Sequence, residues 1–302
     1  MNDKNSKSAF ISIVGMANVG KSSLLNKLVG QKISIISNKP QTTRNKITGI
    51  LTKGESQLVF LDSPGYHKRK NKLSDYMIKQ ISSVILDVDV CVLVVEATNK
   101  HISELEKKLI NQINKLNVDV ILVINKIDLL PKKEMIIKVI EMYSTEINVK
   151  SVVPISVKMN DGINILLDEL YKFAKPSPHF FSDDMVTDQM EREMVSEIIR
   201  EKMLVNFGAE IPYGVVVAIE KMKERKGANI FDIEAVIYCE RNSHKGIIIG
   251  KDGQALKKAA SQARIDIEEM LESKVNLKCW VKVKNNWRNN EKIMRNFGYD
   301  LR

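Results

Sequence analysis

Residues 15–22, with the sequence Gly-Met-Ala-Asn-Val-Gly-Lys-Ser, constrain the fold of this chain more than any other segment. They follow the apolar run 10–14 and precede residues 22–29, whose apolar positions recur at helical spacing. In the pattern G-x-x-x-x-G-K-S, backbone N–H groups point at a helix N-terminus, where an anion is stabilised. The pattern predicts a loop that binds nucleotide phosphates, with Mg²⁺ held by its last residue. Its predicted contact residues are Gly15, Met16, Ala17, Asn18, Val19, Gly20, Lys21 and Ser22.

A second polar motif, Asp62-Ser63-Pro64-Gly65, comes directly after the apolar run 58–61. Ligands of open parallel sheets bind beyond the carboxyl ends of the strands, so this motif is expected near the phosphate loop. Asp62 suits a carboxylate that supports Mg²⁺, and Gly65 can direct its backbone N–H at a γ-phosphate.

A third motif, Asn125-Lys126-Ile127-Asp128, follows the apolar run 118–124. The Asp128 carboxylate can accept hydrogen bonds from both the ring N–H and the exocyclic amine of guanine. Adenine lacks that pair of donors, and a buried polar match of this kind discriminates strongly. The three motifs together predict a site for GTP or GDP with Mg²⁺.

Apolar runs of strand length alternate with amphipathic or polar stretches over residues 10–174. The runs are residues 10–14, 58–61, 90–95, 118–124 and 151–155. This alternation is typical of an α/β domain whose mostly parallel sheet is covered by helices on both faces. No run approaches the roughly 20 apolar residues that a bilayer span needs, and the polar N-terminus lacks a secretory pattern. We therefore expect a cytoplasmic protein without a transmembrane segment.

Residues 175–179, Lys-Pro-Ser-Pro-His, interrupt the alternation because proline fits poorly inside helices and strands. We predict a nucleotide-binding domain over residues 1–176, a linker over 177–188 and a second domain over 189–302. The second domain is predicted to be small and α+β. Its expected elements are a helix at 190–207, strands at 213–219 and 230–239, a loop at 243–253, a helix at 254–271 and a strand at 275–284.

Positive charge is concentrated at the C-terminal end of the chain. The formal net charge is +10, and residues from 241 onward contain 14 Lys and Arg against 7 Asp and Glu, whereas residues 181–240 contain 7 against 13. A basic region beside an acidic one predicts a directed nucleic-acid surface.

The basic region contains a second glycine loop, Gly250-Lys251-Asp252-Gly253, between an apolar run and an amphipathic helix. Such a GxxG loop lets two helix ends approach a sugar-phosphate backbone closely. The surrounding order α-β-β-α-β resembles the type II KH fold, which binds single-stranded RNA. The predicted RNA-binding residues are Ile249, Gly250, Lys251, Asp252, Gly253, Lys257, Lys258, Trp280 and Lys282. Trp280 has two interpretations, an exposed base-stacking ring or a ring buried under a helix.

The nucleotide motifs resemble those of GTPases of the translation-factor-related class. Pro40-Gln41-Thr42-Thr43-Arg44 is similar to the switch I segment of that class, in which a threonine completes the Mg²⁺ shell, and we favour Thr43 over Thr42. Ser156-Val157-Lys158 resembles its weaker guanine-supporting motif, with Val157 in place of the usual alanine. The resemblance implies that Asp62, Ser63, Pro64, Gly65, Tyr66, Asn125, Lys126, Asp128 and Ser156 complete the nucleotide site, with Ser22, Thr43 and Asp62 at the metal.

The catalytic position departs from the Ras-like pattern. Tyr66 stands where Ras-like enzymes place a glutamine that orients water. His67 is the nearest side chain that can polarise water, and Asn18 matches the position at which similar GTPases bind K⁺. We predict slow hydrolysis that is faster in K⁺ than in Na⁺, with Asn18, Thr43, Gly65 and His67 as catalytic candidates.

Taken over its whole length, the chain resembles the Era family of bacterial ribosome-assembly GTPases. The resemblance includes residues 198–202, 210–213, 280–284 and 286–288. It implies binding near the 3′ end of 16S rRNA, a role in assembly of the 30S subunit and in maturation of that 3′ end, and peripheral contact with the inner membrane. We expect a monomer. A GTPase subunit coupled to another RNA-processing or RNA-modification step is the alternative, and membrane remodelling is a third class that no amphipathic anchor helix supports.

Overall fold

The computed structural model describes residues 5–208 and 210–300, which form two compact units. One unit consists of the residues up to Lys70 together with Met77–Asp188. The other consists of Asn71–Tyr76 together with the residues from Gln189 onward. The two units are described separately below.

The first unit is built around a sheet with strand order β2-β3-β1-β4-β5-β6, in which β7 also pairs with β1. The strands are β1 (Lys7–Gly15), β2 (Ile47–Lys53), β3 (Ser56–Asp62), β4 (Val90–Glu96), β5 (Asp119–Asn125), β6 (Ser151–Pro154) and β7 (Lys175–Pro176). The helices are α1 (Lys21–Val29), α2 (Lys72–Ile85), α3 (Glu104–Lys115), α4 (Met135–Ser144) and α5 (Ile163–Tyr171). Strands β1, β3, β4, β5 and β6 run parallel, and β2 and β7 are antiparallel to their neighbours. The predicted α/β fold with a mostly parallel sheet is confirmed.

Strand residues of the first unit alternate between two apolar layers, as the pleat requires. Ile121 packs in the layer that contains α1 and α5, and its neighbour Leu122 packs in the layer that contains α3 and α4. Strands buried on both faces have near-continuous apolar sequences, which is why β1, β4 and β5 were visible as runs. Strand β2 was not predicted, because its sequence Ile-Thr-Gly-Ile-Leu-Thr-Lys is interrupted by small and polar residues.

The segment after β7 contacts β3 through a side chain and the edge strand β2 through its backbone. Gln57, fully buried on β3, accepts hydrogen bonds from the backbone N–H groups of Phe180 (2.8 Å) and Phe181 (3.0 Å). Further along, the N–H of Ile50 on β2 donates to Val186 O at 2.9 Å. Residues 177–188 therefore extend the packing of the first unit rather than crossing solvent freely.

The second unit packs helices against one face of a three-stranded sheet with order β10-β9-β8. Its elements are α6 (Glu191–Asn206), β8 (Val216–Glu224), β9 (Ile230–Cys239), α7 (Asn242–Ile249), α8 (Gln254–Leu271), β10 (Lys274–Val283) and α9 (Glu291–Asn296). Strand β9 is antiparallel to β8 and parallel to β10. The order α-β-β-α-α-β is that of a type II KH fold.

The loop predicted at residues 243–253 is wrong over most of its length. Residues 242–249 form α7, and the irregular backbone is confined to the glycine loop that follows. An eight-residue helix with a single buried apolar residue, Ile248, has too little periodicity to be recognised in a sequence. The strand expected at 213–219 starts later, at Val216, because Ile211–Gly214 forms a 3₁₀ turn. Of the helices in the described part of the chain, none has the length and apolar content of a membrane span.

Candidate nucleotide and nucleic-acid sites

The phosphate loop joins β1 to α1 and is fixed by contacts with other loops at the carboxyl edge of the sheet. Gly20 has φ 102°, and a Cβ at this position would lie 2.3 Å from Asn125 Nδ2. That amide donates to Val19 O at 2.8 Å. Only glycine permits this approach, so the loop and the third motif are held together by one side chain.

Lys21 is buried, and its ammonium donates to Met16 O at 2.8 Å. Burial lowers the pKa of Lys21 to about 8, an effect that the nearby Asp62 carboxylate opposes. A buried cation of this kind gains most from an anionic partner. The β- and γ-phosphates of a nucleotide are such partners, and the loop directs Lys21 at the space they would occupy.

Three oxygen-bearing side chains meet beside Lys21. Ser22 Oγ lies 2.7 Å from Thr43 Oγ1 and donates to Asp62 Oδ2 at 2.9 Å. Asp62 is fully buried, and burial raises its pKa to about 6. Within the described part of the chain, its Oδ1 accepts no hydrogen bond. A buried carboxylate oxygen without a donor, next to two hydroxyl groups, fits a hard divalent cation such as Mg²⁺.

The two adjacent threonines of the switch I segment have different surroundings. Thr43 is buried against Ser22, whereas Thr42 Oγ1 donates to Lys39 O at 2.6 Å within its own loop. The structure thus brings Thr43 to the hydroxyl and carboxylate groups of the predicted metal site.

The second motif passes directly over the phosphate loop. A Cβ on Gly65 would lie 2.7 Å from Ala17 Cα, and Tyr66 N–H donates to Gly15 O at 3.0 Å. Ser63 and Pro64 are buried in the same turn. The Tyr66 ring is buried in the core layer of α3 and α4, so its side chain does not face the phosphates.

His67 lies beside this turn with one ring nitrogen engaged. Its Nδ1 is 2.8 Å from Gly65 O, which assigns the ring proton to Nδ1 because a carbonyl only accepts. Nε2 is buried and has no hydrogen-bond partner among residues 5–208 and 210–300. Burial, with smaller effects of Lys70 and Lys21, lowers the pKa of His67, although the bond to Gly65 opposes the shift. The ring is therefore neutral at pH 7, with a lone pair on Nε2.

The third motif forms the side of the site where a base would bind. Asn125 Oδ1 accepts from the N–H groups of Lys126 (2.8 Å) and Val157 (3.2 Å), which ties it to the following loop. Ser156 Oγ donates to Asp128 Oδ1 at 2.6 Å. The exposed Asp128 carboxylate is thereby oriented, with its second oxygen available to a guanine edge.

Two residues at the site were missed by the sequence analysis. Glu96, the last residue of β4, accepts a hydrogen bond from Lys126 Nζ at 2.7 Å. Asn26 on α1 bonds to both backbone groups of Ser34, at 2.8 Å and 2.7 Å, and so fixes the start of the loop that leads to switch I. Glu96 could have been found, because it ends an apolar strand at the same edge as the other motifs.

The loops enclose a cavity of about 400 Å³. The phosphate loop, switch I, Gly65 and Lys126 line it. Asn18 stands at its rim with φ 68° and donates from Nδ2 to Asn38 O at 3.0 Å, which leaves its Oδ1 directed elsewhere. The predicted nucleotide-site residues that line this cavity are Ala17, Asn18, Gly20, Lys21, Ser22, Thr43, Gly65 and Lys126. The Tyr66 ring instead packs in the core of the unit.

In the second unit, the glycine loop joins the end of α7 to the start of α8. Gly250 has φ 70°, and a Cβ there would lie 2.7 Å from the Ala255 Cβ. Lys251, Lys257 and Lys258 are exposed at this end of α8. A helix N-terminus, close backbone approach and exposed cations together suit a sugar-phosphate chain.

Trp280 lies on the sheet face opposite the helices. Its neighbours Cys279 and Val281 pack in the core of the unit, whereas Trp280 is 45% exposed and Lys282 is exposed on the same face. Of the two interpretations of Trp280, the structure favours the exposed ring. Trp287, in contrast, is fully buried, and its Nε1 donates to Gly214 O at 2.8 Å.

A mostly parallel sheet whose loops present these motifs defines a P-loop GTPase, and the second unit defines a KH domain. Family models agree: residues 10–126 match the family described as "50S ribosome-binding GTPase", and residues 210–288 match "KH domain". The chain is 48% identical to GTPase Era of Clostridioides difficile over 97% of its own length and 99% of that protein, and 46% identical to GTPase Era of Ruminiclostridium cellulolyticum. The chain belongs to the Era family of GTPases.

Solved structures of Era have the same fold. One, with 34% sequence identity and a TM-score of 0.93, covers 98% of this chain and 100% of its own, and shows Era with MgGDPNP and nucleotides 1506–1542 of 16S ribosomal RNA. Another, a variant of Aquifex aeolicus Era bound to GDP and AlF₄⁻, has 35% identity and the same TM-score. The expected recognition, fold and GTPase activity are confirmed.

Proposed function

We propose that this GTPase uses its nucleotide state to control binding of single-stranded RNA near the 3′ end of 16S rRNA during assembly of the small ribosomal subunit. The full-length similarity to an Era structure that contains that rRNA segment carries the proposal. The exposed glycine loop and its lysines supply a surface of the required chemistry. Maturation of the 16S rRNA 3′ end is the step that this binding would serve.

The proposed domain bounds follow from the sequence breaks. Residues 1–176 form the GTPase domain, 177–188 the linker and 189–302 the KH domain. We also propose a cytoplasmic location, with peripheral membrane contact as a property that the family resemblance implies.

In the nucleotide site, we assign phosphate binding to the loop from Gly15 to Ser22 and guanine recognition to Asn125, Lys126, Asp128 and Ser156. Mg²⁺, held by Ser22 and Thr43 with Asp62, neutralises phosphate charge when bound. Lys21 adds a buried positive charge at the β- and γ-phosphates. We assign the Gly65 N–H to a hydrogen bond with the γ-phosphate.

Two residues are assigned to hydrolysis itself. His67 presents a neutral ring whose free Nε2 can accept a hydrogen bond from the attacking water, while Nδ1–H is held by Gly65 O. Asn18 is assigned to a K⁺ ion near the developing phosphate charge, because its amide nitrogen is already bonded to Asn38 O and its oxygen remains for a cation. Both roles predict slow intrinsic turnover.

In the KH domain, we assign backbone contacts to Ile249, Gly250, Lys251, Asp252 and Gly253. Lys257 and Lys258 on α8 extend the positive surface. Trp280 and Lys282 form a second contact on the outer sheet face, where an exposed indole can stack a base.

The RNA assignment is tested by crosslinking the tagged protein to RNA in cells and sequencing the recovered fragments. Enrichment of the 3′ end of small-subunit rRNA is expected. Recovery of scattered mRNA without that enrichment would refute the assembly role.

The nucleotide assignment has a separate test. Asp128→Asn should change the nucleotide preference from GTP to XTP, and unaltered GTP selectivity would overturn the assignment.

A further inference from the structure

Glu96 is the last residue of β4 and lies beside the motif that we assign to guanine recognition. It stands in register with Asn125, the last residue of β5. Its Oε2 accepts from Lys126 Nζ at 2.7 Å, and its Oε1 accepts from Thr98 Oγ1 at 2.8 Å. Both carboxylate oxygens are therefore used, and the carboxylate cannot turn without losing one bond.

The Glu96–Lys126 pair is partly withdrawn from water. The side chain of Glu96 is 26% exposed and that of Lys126 is 30% exposed. Burial alone raises the pKa of Glu96, but the hydrogen bonds from Lys126 and Thr98 outweigh burial and leave the pKa below its usual value. The carboxylate is thus charged throughout the neutral range, which is the state that holds an ammonium group best.

The backbone of Lys126 is also constrained. It has φ 66°, a left-handed conformation that is unfavourable for a residue other than glycine. The hydrogen bond from its N–H to Asn125 Oδ1 stabilises that conformation. The Lys126 side chain is therefore held at both ends, at its backbone and at Nζ, where it lines the cavity.

A free lysine side chain has many rotamers, and ordering it when a ligand binds costs free energy. We propose that Glu96 is a positioning residue that sets the affinity for guanine nucleotides, because it holds the Lys126 side chain in the place where the nucleotide contacts it. This inference rests on the assignment of Lys126 to the nucleotide site. Glu96 itself does not touch the reacting phosphate, so its effect belongs to binding and not to the chemical step.

The test compares nucleotide affinity with turnover. Fluorescent GDP titrations should show that Glu96→Ala raises Kd by about three- to tenfold, since a partly buried ion pair contributes on that scale. KM for GTP should rise similarly, while kcat at saturating GTP stays within about twofold. Glu96→Gln keeps a neutral acceptor in place of the charge and should give an intermediate Kd. Asp119→Asn, which removes the exposed 3.4 Å pair with Lys150 at the opposite end of β5, serves as the matched control and should change neither value.

A double-mutant cycle shows whether Glu96 acts through Lys126. If it does, Glu96→Ala adds nothing to the Kd of Lys126→Met. Full additivity of the two effects, or a Kd for Glu96→Ala equal to that of the wild type, would overturn the inference while leaving the Lys126 assignment intact. An unchanged Kd for Lys126→Met itself would instead refute the assignment on which the inference depends. If Glu96→Ala does not fold, the same cycle is run with Glu96→Gln.

Discussion

Ser22 Oγ and Thr43 Oγ1 lie 2.7 Å apart, so the last residue of the phosphate loop touches the switch I segment. The two residues are 21 positions apart in the chain. Each hydroxyl can bind a divalent cation, and Asp62 lies on the other side of Ser22. We therefore expect the position of switch I to depend on the occupation of the predicted metal and phosphate site, as in GTPases whose switch segments are ordered by the γ-phosphate.

The contrast between the two adjacent threonines gives the first prediction. We expect Thr43→Val to lower kcat for GTP by about tenfold or more and to raise the Mg²⁺ concentration needed for half-maximal activity, because a metal ligand is lost. GDP affinity should change little. The measurement is a Mg²⁺ titration of phosphate release at saturating GTP.

Thr42→Val is the matched control, because Thr42 Oγ1 donates to Lys39 O within its own loop. It should keep a wild-type Mg²⁺ requirement. Equal effects of the two substitutions would show that the hydroxyl of Thr43 has no special place at the metal.

The second prediction concerns monovalent cations. We expect GTP hydrolysis to be several-fold faster in KCl than in NaCl of the same ionic strength. Asn18→Ala should remove the difference, because the amide oxygen is the proposed cation ligand, and should leave the rate in NaCl unchanged. The rate of phosphate release, measured in each salt, gives the difference. Equal rates in the two salts, with Asn18→Ala also unaffected, would eliminate the cation site.

The lowered pKa of His67 predicts how stability depends on pH. Burial holds the pKa of the folded state below the value of about 6.5 expected in the unfolded chain. Between those two values the unfolded chain binds a proton that the folded ring does not, so stability falls as pH decreases through this window. Thermal unfolding midpoints at pH 7.5 and 5.5 should therefore differ more for the wild type than for His67→Asn, whose amide does not titrate.

His67→Asn also tests the proposed catalytic role of His67. If Nε2 of the neutral ring orients the attacking water, His67→Asn should lower kcat at pH 7.5 by about tenfold or more. Wild-type kcat should be level from pH 8 to 7 and fall once the ring becomes protonated. A wild-type rate in His67→Asn would remove His67 from the mechanism, whereas the stability result would stand by itself.

Much of the nucleotide site was predictable because its chemistry is local in sequence. The residues from Gly15 to Ser22 combine a turn, a helix start and a cation in one octapeptide, so the loop and its orientation follow from backbone geometry. Motifs that follow apolar strands could likewise be placed at one edge of the sheet, because the carboxyl ends of parallel strands meet there. The amphipathic helix at Gln254–Leu271 was recognised for the same reason, since eighteen residues give its apolar stripe several repeats.

What could not be predicted depends on contacts between distant residues. Strand β2 is specified by its pairing with β3 and by packing of the 177–188 segment along its other edge, not by its own composition. The buried state of Tyr66 and the pairing of Glu96 with Lys126 both require the folded chain, whereas the preference for Thr43 over Thr42 came from the resemblance of the switch I segment. For Trp280, alternation along β10 predicted two faces, but only the packing of the helices decides which face is covered.

The buried glutamine on β3 gives a prediction about the segment 177–188. Gln57→Leu should leave the N–H groups of Phe180 and Phe181 without their acceptor, at a cost of about 1–3 kcal/mol for a buried unpaired group. We expect faster proteolytic cleavage within residues 178–184 and a lower thermal unfolding midpoint. Cleavage at the wild-type rate would mean that the segment is held by other contacts, such as that between Val186 and Ile50.

The glycine loop of the KH domain leads to the last prediction, which uses salt dependence to separate phosphate contacts from base contacts. Lys251 is exposed beside the start of α8, where a single strand would place a phosphate. Lys251→Gln should weaken binding of unrelated RNA oligonucleotides to a similar extent. It should also reduce the slope of log Kobs against log salt by about 0.7, the value for one phosphate contact of a single strand.

Lys138 on α4, an exposed lysine of the GTPase domain, provides the control: Lys138→Gln should alter neither the affinity nor the slope. Fluorescence anisotropy with labelled oligonucleotides at several KCl concentrations measures both quantities. Trp280→Ala should show the opposite pattern, with the salt slope retained and affinity reduced by about fivefold or more, because stacking on an indole contributes without counterion release. If Lys251→Gln kept the wild-type slope, the strand would not pass over the glycine loop, and the proposed path of the RNA would have to be abandoned.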